Sequence, residues 1–182
     1  MSTSLEALLT PLETPRGPVR VRFLTPDDGE LLVDLVKRLS PESRYHRFHV
    51  PVEFRSDEEL WARIPPYLAV DRENHVALVG LAQEGEREAA IAVVRFARQP
   101  GEEEAEIAVV VRDDWQRLGI GRRLVMQAVE VARTLGIKRL AAWVQPDNRQ
   151  ALRLAAALPF RSEHRFEGGE SHIVLHIAEP AG

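Results

Sequence analysis

Gly119 and Gly121 stand two residues apart, after the strand-like run Val109 to Val111 and just before a helical apolar pattern that begins at Leu124. A helix start leaves backbone N–H groups without partners, and glycine lets a phosphate approach them closely. The pair therefore reads either as a phosphate cradle or as a glycine-containing helix cap with no ligand. A dinucleotide fingerprint would need a third glycine at Leu124 and a tighter turn than the 112–118 segment. A P-loop would need Lys and Ser or Thr where Arg122 and Arg123 follow Gly121. Glu106 lies upstream on the same strand, flanked by Ala105, Ile107 and Ala108, surroundings able to raise a carboxyl pKa and make it a proton acceptor. The plain alternative is a solvated carboxylate or an ion pair to arginine.

Other chemistries are thinly supplied. The absence of cysteine removes disulfides, thiolate nucleophiles and Cys-ligated zinc. His172 and His176 share a strand face, but four strand residues span roughly 13 Å, too far to chelate one ion, so no metal is expected. His46 and His49 sit beside Arg44, Tyr45 and Arg47, either touching substrate or lying on the surface. Trp61, Trp115 and Trp143 read as packing residues, with Trp115 nearest the glycine loop. With 24 basic against 28 acidic residues and a net charge of -4, the chain offers no field for nucleic acid or anionic lipid. No basic leader and no run of about 20 apolar residues is present, so the expected location is cytoplasmic.

The elements that must position these groups follow from patterning across 182 residues, the length of one domain. Residues 1–18, with Pro11, Pro15, Gly17 and Pro18, read as a tail or strap, and 19–178 as a single domain. Val19 to Phe23 alternates as a strand. Thr25 and Pro26 then read as N-cap and first helical residue, ahead of an apolar face of Leu31, Leu32, Leu35, Val36 and Leu39. Ser40 to Phe54 reads as a linker, and Ser56 to Glu59 as a capping box opening a short helix that stops near Pro65 and Pro66. A three-stranded meander is expected over His75–Leu81, Ala89–Phe96 and Glu104–Val111. After it come a helix ending at Gly136, a strand over Lys138–Val144, a helix over Asn148–Leu158, and two strands joined at Gly168 and Gly169. The order gives an α/β fold with a mostly antiparallel sheet of about seven strands and one parallel crossover.

Gln116-x-x-Gly119-x-Gly121 resembles the pyrophosphate-binding motif of the GNAT superfamily of acetyl-CoA-dependent N-acetyltransferases. Leu39 to Phe48, Ala105 to Val111 and Asn148 to Phe160 further resemble the catalytic domain of bacterial Pat-type protein lysine acetyltransferases. The resemblance implies a GNAT-type mixed sheet with helices on both faces. It also implies that the amides of Leu118, Gly119, Ile120, Gly121 and Arg122 hold the coenzyme A pyrophosphate. Val109 and Val111 would pair with the pantetheine arm where their strand splays from its parallel neighbour, and Asn148 would touch the arm or simply cap its helix. Arg122 and Arg123 could meet the coenzyme phosphates or only water.

A lysine amine with a pKa near 10.4 is short of free base at pH 7 by roughly 4–5 kcal/mol, and the resemblance assigns its proton to Glu106. Ala155 stands where many members place a tyrosine general acid, a group the Pat type often lacks, and Pro159-Phe160 replaces the common Gly-Phe. The implied function is acetyl transfer from acetyl-CoA, without metal, to an amine: a lysine of an acyl-CoA synthetase or another protein. The alternatives are a small-molecule or N-terminal acetyltransferase, or a coenzyme A-binding module without catalysis. Arg44, Tyr45, Arg47 and Phe48 of the linker, with Arg55 nearby, would suit a protein surface, whereas Glu53, Asp57, Glu58 and Glu59 would suit a small polyamine.

Overall fold

Val19, Val21 and Phe23 alternate with Arg20 and Arg22, and this period of two makes β1 (Val19–Phe23) the edge of a seven-stranded sheet. The computed structural model describes residues 4–178, and the strand order is β1-β2-β3-β4-β5-β7-β6. The strands β2 (His75–Glu84), β3 (Arg87–Ala97) and β4 (Glu104–Val111) form the expected antiparallel meander. Gly80 faces Ala92 while Leu81 faces Ala90, so Ile91 is the extra residue of a β-bulge, which sharpens the twist at the sheet centre. After α5 (Ile120–Thr134) the chain enters β5 (Arg139–Val144), then α6 (Arg149–Ala157), β6 (Arg161–Glu167) and β7 (Glu170–His176). The β4–β5 pairing is parallel; all the others are antiparallel.

Helices cover both faces, which is why the central strands are almost continuously apolar. On one face α5 buries Leu124, Val125, Ala128 and Val131 against Leu78, Val94 and Ile107, and α6 packs beside it through Ala151 and Leu154. On the other, α1 (Gly29–Lys37) and α3 (Asp57–Arg63) bury Leu32, Leu35, Val36 and Leu60 against Ala77, Val79 and Val93. The strap expected in residues 1–18 runs over the first face, with Met1 to Thr3 outside the described residues. Leu12 is buried and bridges Val19, and Thr10 exchanges hydrogen bonds of 3.1 and 2.8 Å with the Gln127 side chain on α5.

Two local expectations are corrected. α1 begins at Gly29, not after Thr25, because the Asp28 carboxylate accepts from Thr25 N (2.8 Å) and from both Arg22 guanidinium nitrogens (2.7 and 2.8 Å), closing a turn against β1. The linker contains α2 (Pro41–Phe48), opened by Ser40, whose Oγ accepts from Ser43 N at 3.1 Å, with Pro41 at the first helical position. The helix opened at Ser56 stops before Pro65 as expected, and a further short helix, α4 (Pro65–Leu68), follows it. The capping box at Ser56 forms with one change of partner: the Glu59 carboxylate returns to Arg55 N (2.9 Å).

Hydrogen bonds from Arg22, more than any other cause, hold the Asp28 carboxyl below its ordinary value. A lowered native pKa gives stability that is complete above the unfolded value near 3.9 and is lost as pH falls through the native one. Asp28→Asn should therefore lower the urea-unfolding free energy at pH 7 by about 1–3 kcal/mol. The gap between variant and native protein should narrow as the titration is repeated at pH values below about 4.

Candidate active site

The β4–β5 ladder consists of three pairs, Glu104 with Arg139, Ala105 with Leu140 and Glu106 with Ala141. Beyond them β4 stays with β3 as far as Val111, and β5 stays with β7 as far as Val144, so the seam opens. Arg112 N–H donates to Ile91 O on β3 (2.8 Å), and alternation then turns the backbone groups of Ile107, Val109 and Val111 toward the open edge. Gln116 Nε2 donates to Val111 O (2.9 Å), so this side chain pins the loop to the strand end.

The loop ends at Gly119, whose φ of 74° is left-handed, a conformation a side chain would strain. The first amide to bond backward is that of Arg123, to Gly119 O at 3.2 Å, so the preceding amides at the helix start are the unpaired ones. A Cβ at Gly121 would lie 3.5 Å from Val111 Cγ2, so glycine keeps the wall between α5 and β4 low. These groups border an open groove of about 530 Å³ that gathers Val109, Val111, Gln116, Gly119, Ile120, Gly121, Arg122 and Asn148. Leu118 is not on the groove wall; its side chain packs on the core. Asn148 caps α6 through Oδ1, which accepts from Ala151 N (3.1 Å). Arg117 and Arg153 also border the groove; the sequence had not singled them out. Arg123 is spent elsewhere, on the Glu13 carbonyl of the strap (2.8 Å).

Glu106 is on the opposite side of the sheet. Ala105 and Ile107 point into the core under α5, so the apolar flank read from the sequence faces away from the carboxylate, which is exposed. It opens into a second cleft, also about 530 Å³, with Arg47, Tyr67, Arg95, Trp143 and His172. A narrow apolar gap of about 90 Å³ at the seam, walled by Ile107, Ala108, Ala142 and Ala155, borders both spaces, sharing Ile107 and Ala108 with the cleft and Val109 and Asn148 with the groove. Arg47 borders all three spaces. Burial, foremost, pushes the Arg47 guanidinium below its ordinary pKa; Tyr67 and Glu106 pull it back up and Arg95 pushes it further down.

Helix α2 carries Arg47 and is tied down at both ends. The Asp113 carboxylate accepts from Ser40 N (2.9 Å), Ser40 Oγ (2.7 Å) and Ser43 Oγ (2.7 Å). At the other end His49 Nδ1 lies 2.6 Å from Glu170, which also accepts from Gln145 Nε2 (2.7 Å), and His46 Nε2 lies 3.2 Å from Asp147. Both histidines thus serve as clasps across the seam. Of the other linker residues, Arg44 bonds to the Leu39 and Val52 carbonyls. Asp57 and Glu59 pair with Lys37 and Arg63, away from the second cleft. His172 stacks on Trp143 at 4.3 Å at the cleft rim, and His176 pairs with Glu163 (2.8 Å). Among the described residues no helix is long and apolar enough to cross a membrane.

A model of the Acetyltransferase (GNAT) family matches residues 36–160. Acetyltransferase PA5475 of Pseudomonas aeruginosa is 29% identical over 158 residues, 87% of this chain and 82% of that protein. The crystal structure of the GNAT domain of S. lividans PAT superposes with a TM-score of 0.78 at 28% identity, covering 93% of this chain and 97% of that one. PaiA N-acetyltransferase from Thermoplasma acidophilum, solved in complex with coenzyme A, shares the fold at a TM-score of 0.61 and 16% identity, over 87% and 98% of the two chains.

Asp113 is the anchor most readily tested. Asp113→Ala removes three hydrogen bonds from the α2 N-terminus and should cost about 1–3 kcal/mol of stability. Amide hydrogen exchange should accelerate in residues 41–48 while the β2–β3 hairpin keeps its protection.

Proposed function

We propose that this chain, which belongs to the Acetyltransferase (GNAT) family and is an acyltransferase using acetyl-CoA, delivers the acetyl group to the side-chain amine of a protein lysine. The observation that carries the proposal is the passage through the sheet: a groove at a helix start on one side, a cleft with a free carboxylate on the other, and a gap at the β4–β5 seam between them. Residues 19–178 form the catalytic unit in this reading, with the preceding segment as a strap on α5.

The amides of Leu118 to Arg122 hold the pyrophosphate, aided by the helix dipole and by Arg117, Arg122 and Arg153. Leu118 contributes its backbone alone. The free edge at Val109 and Val111 pairs with the pantetheine arm, Gln116 fixes the loop, and Asn148, whose Oδ1 is taken by the cap, has its Nδ2 to donate. Acetyl-CoA supplies the thioester. On the far side Glu106 takes a proton from the acceptor ammonium, directly or through one water. The neutral nitrogen then bonds to the thioester carbonyl carbon, the carbon–sulfur bond breaks with its electron pair on sulfur, and the second proton that nitrogen sheds as the amide forms passes to the thiolate or to solvent.

A folded-protein lysine is favoured over a polyamine because none of Glu53, Asp57, Glu58 and Glu59 borders the cleft, and Asp57 and Glu59 are paired with Lys37 and Arg63. The cleft is also open enough to admit a long side chain carried on another surface. An acyl-CoA synthetase is the first acceptor to try, on the Pat-type resemblance, and a cytoplasmic location goes with it.

Two substitutions separate binding from chemistry. Gly121→Glu should abolish coenzyme A binding in calorimetry while the circular-dichroism spectrum stays native; unchanged affinity would remove the cradle. Glu106→Gln should lower kcat by about 10²-fold or more with coenzyme affinity retained, whereas an unaltered kcat and pH–rate profile would move the base elsewhere. The acceptor itself is settled by labelled-acetyl transfer to folded synthetases against polyamines and free amino acids; transfer to free amines alone would overturn the protein-lysine reading.

A further inference from the structure

We propose that the cleft around Glu106 has two ends and that its second end, Arg47 with Arg95, binds a carboxylate, so that the preferred acceptor is a lysine with an acidic residue beside it. This rests on the acetyl-transfer reading of the same cleft. It adds a specificity element that the transfer chemistry does not require.

The two guanidinium groups come from different elements, α2 and β3, yet border the same cleft and the same ring: their central carbons lie 5.7 and 5.6 Å from the Tyr67 centroid. Their protein partners are few. Arg95 Nη1 makes one long contact of 3.4 Å with the Tyr67 carbonyl, and among the described residues Arg47 has neither a hydrogen bond nor an ion pair. Other half-buried or buried arginines on and beside the sheet are matched, Arg22 with Asp28, Arg112 with Glu84 and Asp114, and Arg139 with Glu104, while Arg87 and Arg165, which lack such partners among the described residues, are exposed to water.

Leaving two neighbouring, partly dehydrated cations without an anion is costly. Burial is the first cause pushing each below its ordinary pKa, and in Arg47 the proximity of Arg95 pushes the same way. An anion entering between them would relieve both costs. A planar guanidinium fork is matched to a carboxylate.

The nearby carboxylates do not fill that role. Glu104 is engaged by Arg139 at 3.0 Å, and it lies four residues along β4 from Ala108, the partner of Arg95, or roughly 13 Å. Glu106 shares a face with Ala108 and stands two residues from it, roughly 7 Å along the strand, yet pairs with neither arginine. The cleft is therefore polarised along β4, with a carboxylate for an ammonium and, one strand step further, cations for a carboxylate. His75 and His172 lie on its rim, and Arg98 is occupied by Asn74 Oδ1 and the Glu102 carbonyl.

The test uses the whole chain, acetyl-CoA and two peptides that differ only in the residues flanking one lysine, glutamate in one and glutamine in the other. The glutamate peptide should show a kcat/KM at least about ten-fold higher, carried by KM and shrinking as salt is added. Arg95→Gln should bring the ratio close to one by weakening the glutamate peptide, and Arg95→Lys should restore part of it. Equal kcat/KM for the two peptides in the unaltered protein, which needs no variant to fold, would overturn the proposal, as would a preference that survives Arg95→Gln. Glu106→Gln should slow both peptides by the same factor and leave their ratio intact, so failure of the base assignment is read separately. Where only free amines are acetylated, L-lysine against cadaverine, the same chain without the carboxylate, poses the same question: preference for lysine supports the anion end and equal rates overturn it.

Discussion

The parallel pairing between β4 and β5 ends after Glu106 and Ala141, and the groove, the gap and the cleft all depend on that ending. Each strand is held to its other neighbour by a longer antiparallel ladder, six pairs from Ala92↔Val111 to Ala97↔Glu106 and six from Arg139↔His176 to Val144↔Ser171. With the bulge at Ile91 adding twist on one side, following both ladders means separating at the seam. Backbone groups of Ile107, Val109 and Val111 are then left on an unpaired edge, where burial without a partner would be unfavourable. Gln116 satisfies the Val111 carbonyl, and the rest remain available to an extended ligand.

Helix α2 keeps this opening in one shape. It buries no residue completely, so packing contributes little to its position and polar clasps do most of the work. Asp113 at its N-terminus complements the helix dipole as well as the Ser40 and Ser43 donors. The hydrogen bonds outweigh the burial that would otherwise raise this carboxyl, so it titrates below the usual range and the clasp stays charged at neutral pH. The loop it belongs to is held in turn by the buried Arg112, which joins Glu84 at the end of β2 to Asp114. Strand end, loop and helix thus form one connected polar unit above the glycine turn.

How much of this was legible in the sequence depended on whether a residue's role is set by its neighbours in the chain. The strand β4 was bounded correctly, and Gly119 and Gly121 were found, because alternation and a helix start are local signals. The helix α2 was missed although Ser40 and Pro41 supply the same kind of start signal that was recognised at Ser56, because an eight-residue helix with no buried residue shows no apolar stripe to confirm it. The flank of Glu106 was misjudged for a different reason. On a strand, adjacent residues occupy opposite faces, so Ala105 and Ile107 say nothing about the medium around the carboxylate between them. The juxtaposition of Arg47 and Arg95 over Tyr67 joins three elements far apart in the chain, and no spacing rule could have shown it.

The absence of a hydroxyl at Ala155 follows the chemistry. A thiol with a pKa near 8.5 leaves as thiolate at pH 7 at a cost of roughly 2 kcal/mol relative to its protonated form, whereas freeing a lysine amine costs roughly 4–5 kcal/mol. The larger deficit is on the acceptor side, where the proposed reaction has Glu106 take the proton. Ala108, Ala142, Ala151 and Ala155 leave space at the gap, where the proposed reaction puts the acyl group, and a bulky acid in place of Ala155 would fill part of it. A transferase built around a split sheet can leave out the acid more readily than the base.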